Sequence, residues 1–315
     1  MLKPKYYLII ALVLFVPHMA MALSMPTGGG LTMPTSANEL AGMFGLSAQS
    51  YVVLDAATGQ ALISKNPDLA LTPASLTKLV TALVVLDTKP KLTNIVTMSA
   101  ADQAAGSCGS GGACIKSKAG VKFTVDGLFH AALMPSANNA ANALARSTGL
   151  TTDQFAVLMN QKMASLGATG THFNEPTGMD PANQITAADY AKVVAAAFSN
   201  PYLLNIAGQS QYTLRSTNNS RYNQVIKNTD KLLNNPDIQV LGAKTGYLPN
   251  IGYNFASVVQ DNGQELAVVV LGESHLYTAF DETKLLANLA GVAQALALIN
   301  PLPAVLGTST LVSAQ

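Results

Sequence analysis

Ser75 and Lys78 lie three residues apart in the stretch Pro73-Ala74-Ser75-Leu76-Thr77-Lys78-Leu79. Side chains three apart share one face at the start of a helix, within reach of each other. A serine hydroxyl is a poor nucleophile until a base takes its proton, and a neutral lysine can be that base. From Leu76 onward, Leu79, Val80, Leu83, Val84 and Leu86 keep helical spacing, which predicts a buried helix. Pro73 just ahead of it costs little there. The plainer alternative is that Ser75 caps this helix and Lys78 is a solvated charge. A Ser-x-x-Lys arises about once by chance in a chain this long, so the pair alone decides little.

Two later stretches add to it. Ser136-Ala137-Asn138 falls in an expected loop between helices over Asp126–Met134 and Ala140–Ser147. Lys244-Thr245-Gly246 closes an apolar run from Gln239, where a strand can offer its backbone to a ligand. In order, the three stretches match the S-x-x-K, S-x-N and K-T-G elements of penicillin-binding proteins and class A β-lactamases. Ser75-x-x-Lys78 and Lys244-Thr245-Gly246 are single occurrences, whereas Ser-x-Asn recurs at Ser36, Ser136 and Ser216. Of those three, Ser136 has the order and the flanking helices that the pattern needs.

The sequence resembles the low-molecular-weight penicillin-binding proteins, the serine-type D-alanyl-D-alanine carboxypeptidase family. Ala74-Ser75-Leu76-Thr77-Lys78-Leu79, Ser136-Ala137-Asn138-Asn139-Ala140-Ala141, Met159-Asn160, Leu166-Gly167, Thr171-His172-Phe173, Pro176-Thr177-Gly178 and Lys244-Thr245-Gly246-Tyr247 carry the likeness. It runs from roughly Gly42 to Leu298. The resemblance implies an α/β (α+β) fold of the penicillin-binding protein/β-lactamase-like type. Its antiparallel sheet draws strands from both chain ends and is flanked by helices, with a helical subdomain inserted.

It also implies acyl transfer through Ser75, with Lys78 as base and Ser136 relaying a proton to the leaving amine. Asn138, Lys244, Thr245, Gly246 and Tyr247 would bind substrate, with the Ser75 and Tyr247 backbone N–H groups as the oxyanion hole. The implied substrates are peptidoglycan stem peptides, the implied covalent inhibitors β-lactams, and no cofactor is called for. Two departures stand out. Leu248 and Ile251-Gly252 follow Tyr247 where many members carry a threonine and then Ala-Gly. Leu276-Tyr277-Thr278-Ala279-Phe280-Asp281 has no basic residue where many members have one.

Carboxypeptidase action is the first expectation, and endopeptidase cleavage of peptide cross-links is its near neighbour. A class A-like β-lactamase would need a deacylating glutamate in E-x-x-L-N, and Glu175-Pro176-Thr177-Gly178-Met179 does not fit. A non-catalytic secreted binding module would not need the full set of catalytic residue types. There is no Gly-x-Ser-x-Gly elbow, and His172 with Glu175 lacks the second histidine of a zinc motif.

The elements that must position these residues follow from pattern. Tyr51–Asp55 and Gln60–Ser64 flank a glycine-bearing turn and predict a hairpin. Tyr253–Val259 and Glu265–Leu271, around Asp261-Asn262-Gly263, predict a second. Helices are expected over Thr151–Leu166, Thr186–Phe198 and Phe280–Leu298.

With 315 residues, 49% of them hydrophobic and 11% charged, the chain can bury a sizeable core. Residues 1–22 join Lys3 and Lys5 to an apolar run from Tyr6 to Val16 and end in Ala20-Met21-Ala22, the layout of a signal peptide. Without those two lysines the 18 basic residues become 16, against 17 acidic. Nothing in that balance points to nucleic acid. Residues 23–41 are expected to be a flexible leader, residues 42–300 the peptidase domain and residues 301–315 a tail. The expected location is periplasmic or secreted, with no stable membrane anchor after cleavage. In such a compartment Cys108 and Cys114, which flank a glycine-rich loop, read as a local disulfide. A metal site would want more ligands nearby.

Overall fold

A strand that is apolar at both parities has to be covered on both faces, and that condition shapes this fold. The structure, a computed structural model, describes residues 36–299. In chain order it contains α1 (Ala37–Gly42), β1 (Ser50–Asp55), β2 (Ala61–Lys65), α2 (Thr77–Asp87), β3 (Ile95–Thr97), α3 (Ala100–Ala105) and β4 (Lys122–Thr124). Helices α4 (Val125–Leu133), α5 (Asn138–Ser147), α6 (Thr152–Ser165), α7 (Ala187–Phe198) and α8 (Pro201–Ala207) follow. The chain returns to strands with β5 (Gln211–Leu214), β6 (Gln224–Lys227), β7 (Gln239–Leu248), β8 (Gly252–Asp261) and β9 (Gln264–Glu273), and ends in α9 (Leu276–Ile299).

One antiparallel sheet runs β2-β1-β9-β8-β7, so strands from both ends of the chain lie side by side. Its side chains alternate between two cores, as the period of two requires. Val52 and Leu54 of β1 and Ala267, Val269 and Leu271 of β9 face the helical middle of the chain. Tyr51, Val53, Leu266, Val268 and Val270 face α1 and α9. This is the α/β architecture expected, with the helical segment inserted between the early and late strands.

Helix α2 is buried from Thr77 to Val85 on every side, as a helix that is apolar all round must be: α4, α5, α6 and α7 surround it, and α7 in turn packs on β1, β8 and β9. Helices α4, α6 and α7 begin on Thr124, Thr151 and Thr186, each accepting a backbone N–H of the first turn.

Several expected boundaries move. The leader expected over residues 23–41 gives way at its end to α1, where Leu40 and Ala41 are buried against the outer sheet face. Helix α5 starts at Asn138, two residues earlier than expected. Pro201 opens α8 as well as closing α7, because a proline fits the first turn of a helix. The β5–β6 hairpin has few apolar residues to announce it; Tyr212 packs on His130 with ring centroids 3.7 Å apart. The signal peptide and the tail lie outside the described residues.

Candidate active site

The turn that carries Ser75 is a 3-10 helix, Ala74–Leu76, running straight into α2. Neither this turn nor α2 receives a side-chain cap. Ser75 is therefore not spent on capping, and its hydroxyl is free for another partner. That partner is Lys78: its Nζ lies 2.7 Å from Ser75 Oγ and donates to the Thr177 carbonyl oxygen at 2.7 Å. Lys78 is 0% exposed. Loss of water disfavours its charge and lowers its pKa to about 7, while the nearby Glu175 carboxylate pulls the other way.

The turn is anchored from several sides. Asn254 Nδ2 on β8 donates to the carbonyls of Thr72 and Pro73 at 2.9 and 3.1 Å. Tyr190 OH on α7 donates to Leu76 O at 2.6 Å. Gly246 of β7 passes so close that a Cβ there would sit 2.7 Å from the Pro73 carbonyl oxygen. Gly178, with φ +85°, packs against the Ala74 carbonyl where no Cβ would fit. Ala74 itself has φ +50° and Ser136 φ +65°, so a left-handed non-glycine residue stands on each side of the cleft. Such strain persists only where the surroundings fix it.

On the opposite wall, Lys244 Nζ donates to Ser136 Oγ at 2.8 Å and to Thr245 O at 2.9 Å. Burial, and then repulsion from Lys78, hold the Lys244 amine well below its ordinary range. Thr245 Oγ1 is 2.6 Å from Thr229 Oγ1. Asn138 donates through Nδ2 to Gly106 O at 3.1 Å, and its backbone N–H donates to Ala113 O at 2.6 Å. Its Oδ1 is buried without a partner among the described residues. Cys108 and Cys114 form a disulfide that closes the same loop, with Cα atoms 5.8 Å apart. Tyr247 is half exposed and stacks on Tyr253 with ring centroids 4.4 Å apart.

The structure thus gathers Ser75, Lys78, Ser136 and Lys244 into two lysine–serine pairs, with Thr245 next to Lys244 on β7, Asn138 two residues beyond Ser136 and a half-exposed Tyr247 two residues beyond Thr245. Sequence reasoning gave no role to Thr177, Thr229, Asn254 or Tyr190, although Pro176-Thr177-Gly178 is among the stretches that carry the family likeness. Thr177 acts here through a backbone carbonyl, which no side-chain pattern reports.

A serine held against a buried lysine on such a sheet is the arrangement of the penicillin-binding class of serine peptidases. The chain belongs to the D-alanyl-D-alanine carboxypeptidase family of S11 peptidases, whose model matches residues 35–275. It is 33% identical over 227 residues to the D-alanyl-D-alanine carboxypeptidase DacB2 of Mycobacterium tuberculosis, covering 71% of this chain and 74% of that one. It is 31% identical over 241 residues to a D-alanyl-D-alanine endopeptidase of Pseudomonas aeruginosa, covering 76% of each. Among solved structures, a D-alanyl-D-alanine carboxypeptidase from M. tuberculosis superposes with a TM-score of 0.69 at 31% identity, over 77% of this chain and 91% of that one. A variant of a Streptomyces DD-transpeptidase gives a TM-score of 0.73 at 26% identity, over 78% and 98%.

Proposed function

We propose that the protein cleaves D-alanyl-D-alanine peptides of peptidoglycan through a Ser75 acyl-enzyme. The observation that carries this reading is the 2.7 Å contact between Ser75 Oγ and a fully buried Lys78. With its pKa lowered to about 7, Lys78 is neutral in a large fraction of molecules near neutral pH. Its lone pair then accepts the Ser75 proton while an N–H still donates to Thr177 O. Ser75 Oγ attacks the carbonyl of the penultimate D-alanine, and the Ser75 and Tyr247 backbone N–H groups take up the oxyanion. The carbon–nitrogen bond breaks, and Ser136 passes a proton to the departing amine. Water then hydrolyses the ester and restores Ser75. Lys244 and Thr245 face the terminal carboxylate, and the unpartnered Asn138 Oδ1 accepts a substrate amide N–H.

Carboxypeptidase action is the first reading. Endopeptidase action has one observation in its favour: Leu276–Asp281 has no basic residue where many members of the family carry one, so no cation there is available to hold a free carboxylate, and Tyr277 in that stretch is highly exposed. Release of D-alanine from a pentapeptide, compared with cleavage of a cross-linked dimer, separates the two. We further propose export, on the strength of Lys3, Lys5, the apolar run and Ala20-Met21-Ala22. Among the described residues no helix is long and apolar enough to cross a membrane.

The test uses a β-lactam, which mimics the acyl-D-alanyl-D-alanine bond. Mass spectrometry after brief penicillin treatment should show one adduct, on the peptide containing Ser75. Ser75→Ala should lose both the adduct and peptide hydrolysis. Hydrolysis at the wild-type rate by Ser75→Ala would overturn the assignment.

A further inference from the structure

The scheme above leaves one charged group beside the base without a task. Glu175 sits in the loop between α6 and α7, and five donors converge on its carboxylate. Oε2 accepts from Thr177 N at 2.6 Å and Thr177 Oγ1 at 2.5 Å. Oε1 accepts from Gly178 N at 2.5 Å, Asn183 Nδ2 at 2.8 Å and Asp180 N at 3.4 Å. These bonds wind residues 175–180 around one side chain. The winding turns the Thr177 carbonyl toward Lys78 Nζ and the Pro176 carbonyl toward Thr81 Oγ1, 2.7 Å in each case, both residues lying on α2. It also seats Gly178 against the Ala74 carbonyl, one residue before Ser75.

We propose that Glu175 is a positioning residue for the reaction: its carboxylate folds the loop that fixes Lys78 on Ser75, and it is the anion that balances that buried amine. The proposal rests on the reading of Lys78 as the proton acceptor. The groups shown to act on Lys78 come from three elements: Ser75 on the preceding turn, Glu175 on the loop and Lys244 on β7. Of these, Glu175 favours the ammonium form. Asp180 and His172 share its loop, and His172 Nε2 lies 2.8 Å from Asn174 Oδ1. The carboxylate therefore has two effects that can be measured apart. Its shape sets the rate of acylation, and its charge sets the pH at which the base becomes neutral.

The experiment measures the rate of acylation by a chromogenic β-lactam from pH 5 to 9. Wild type, Glu175→Gln, Glu175→Asp and Lys78→Ala are compared, with thermal melts as a check on folding. Wild type should show an acid limb near pH 7, where Lys78 loses its proton. Glu175→Gln keeps the size of the side chain but presents an amide to converging donors. Its plateau rate should fall roughly 10- to 100-fold, the cost of a misplaced reacting group. Its acid limb should also move to lower pH, because the charge that held the proton on Lys78 is gone. Glu175→Asp keeps the charge and shortens the reach. It should be slower than wild type with its limb unmoved, so it tests the positioning half even if the glutamine variant does not fold.

A limb that stays in place in Glu175→Gln sinks the proposal, as does a wild-type rate in Glu175→Asp. If Lys78→Ala acylates normally or wild type has no acid limb, the base reading itself fails and takes this proposal with it. Those outcomes differ from an unmoved Glu175→Gln limb beside a normal wild-type profile.

Discussion

The two walls of the cleft carry the same pair of side chains in different surroundings. Lys78 and Lys244 are both buried, and each Nζ is within 2.8 Å of a serine hydroxyl. Lys78 rises from the first turn of α2 and has Glu175 to offset its burial. Lys244 lies on the edge strand β7, and burial and the neighbouring Lys78 both act to remove its proton. One lysine thus sits where its proton is exchangeable near neutrality, which suits a base. The other lies deep in the wall and gains most from an arriving anion. A carboxylate docking there would stabilise the Lys244 ammonium, and like-charge repulsion would then favour neutral Lys78. The same pair of side chains is held in two electrostatic settings by what lies within a few ångströms.

The largest effect should come from breaking the Lys78 side. Lys78→Met removes the proposed base and should cost acylation about 10²- to 10⁴-fold. It should also stabilise the fold. The Lys78 pKa is about 7 in the folded protein against an ordinary 10.5. The unfolded chain therefore binds the extra proton between those values, and wild-type stability rises with pH across that window. Methionine has no such penalty, so the variant should melt higher than wild type at pH 6, and its rise between pH 7 and 10.5 should be shallower. A variant that melts lower at pH 6 would show that the buried amine contributes to the fold instead of straining it.

Lys244→Ala tests the other wall, with a smaller expected loss. A hydrogen bond to a charged group is worth about 1.5–3 kcal/mol, so kcat/KM for a peptide ending in a carboxylate should fall roughly 10- to 100-fold. An analogue amidated at that end should lose little. Equal losses for both peptides would mean that Lys244 holds Ser136 in place and does not read the carboxylate.

The two walls were also unequally legible in the sequence. Ser75, Lys78, Ser136 and Lys244 stand out in the sequence through their match, in order, to three motifs of a known family, and the long strands through their apolar runs. What supports the Lys78 wall was not legible, because it works through main-chain atoms. The Thr177 carbonyl that holds Lys78 carries no residue signature, and the Pro73 carbonyl that receives Asn254 is equally silent. Glu175 could be read only as failing a β-lactamase pattern and, with His172, a zinc motif, since its five donors converge after the loop folds. The β5–β6 hairpin and α8 escaped for a different reason. One has too few apolar residues, and the other begins on a proline that also reads as a stop.

The smallest effect is expected on the Ser136 side, from the disulfide. Cys108 and Cys114 close a loop whose flanking carbonyls, Gly106 O and Ala113 O, accept from the side chain and backbone of Asn138. Asn139 ties the same loop down through the N–H and carbonyl of Ile115, at 3.2 and 3.1 Å. These hydrogen bonds remain available when the sulfurs are separated, so the loop loosens but is not released. Cys108→Ser with Cys114→Ser should lower stability by roughly 2 kcal/mol on the chain-entropy model. Acylation should slow only about fivefold, near the worth of one ordinary hydrogen bond at about 1 kcal/mol. The two effects can be told apart by coupling. In an Asn138→Ala background, loss of the disulfide should still lower the melting temperature but should slow acylation no further, since residues in one network are not additive. An undiminished fivefold loss in that background would show that the loop reaches the reaction by a route other than Asn138.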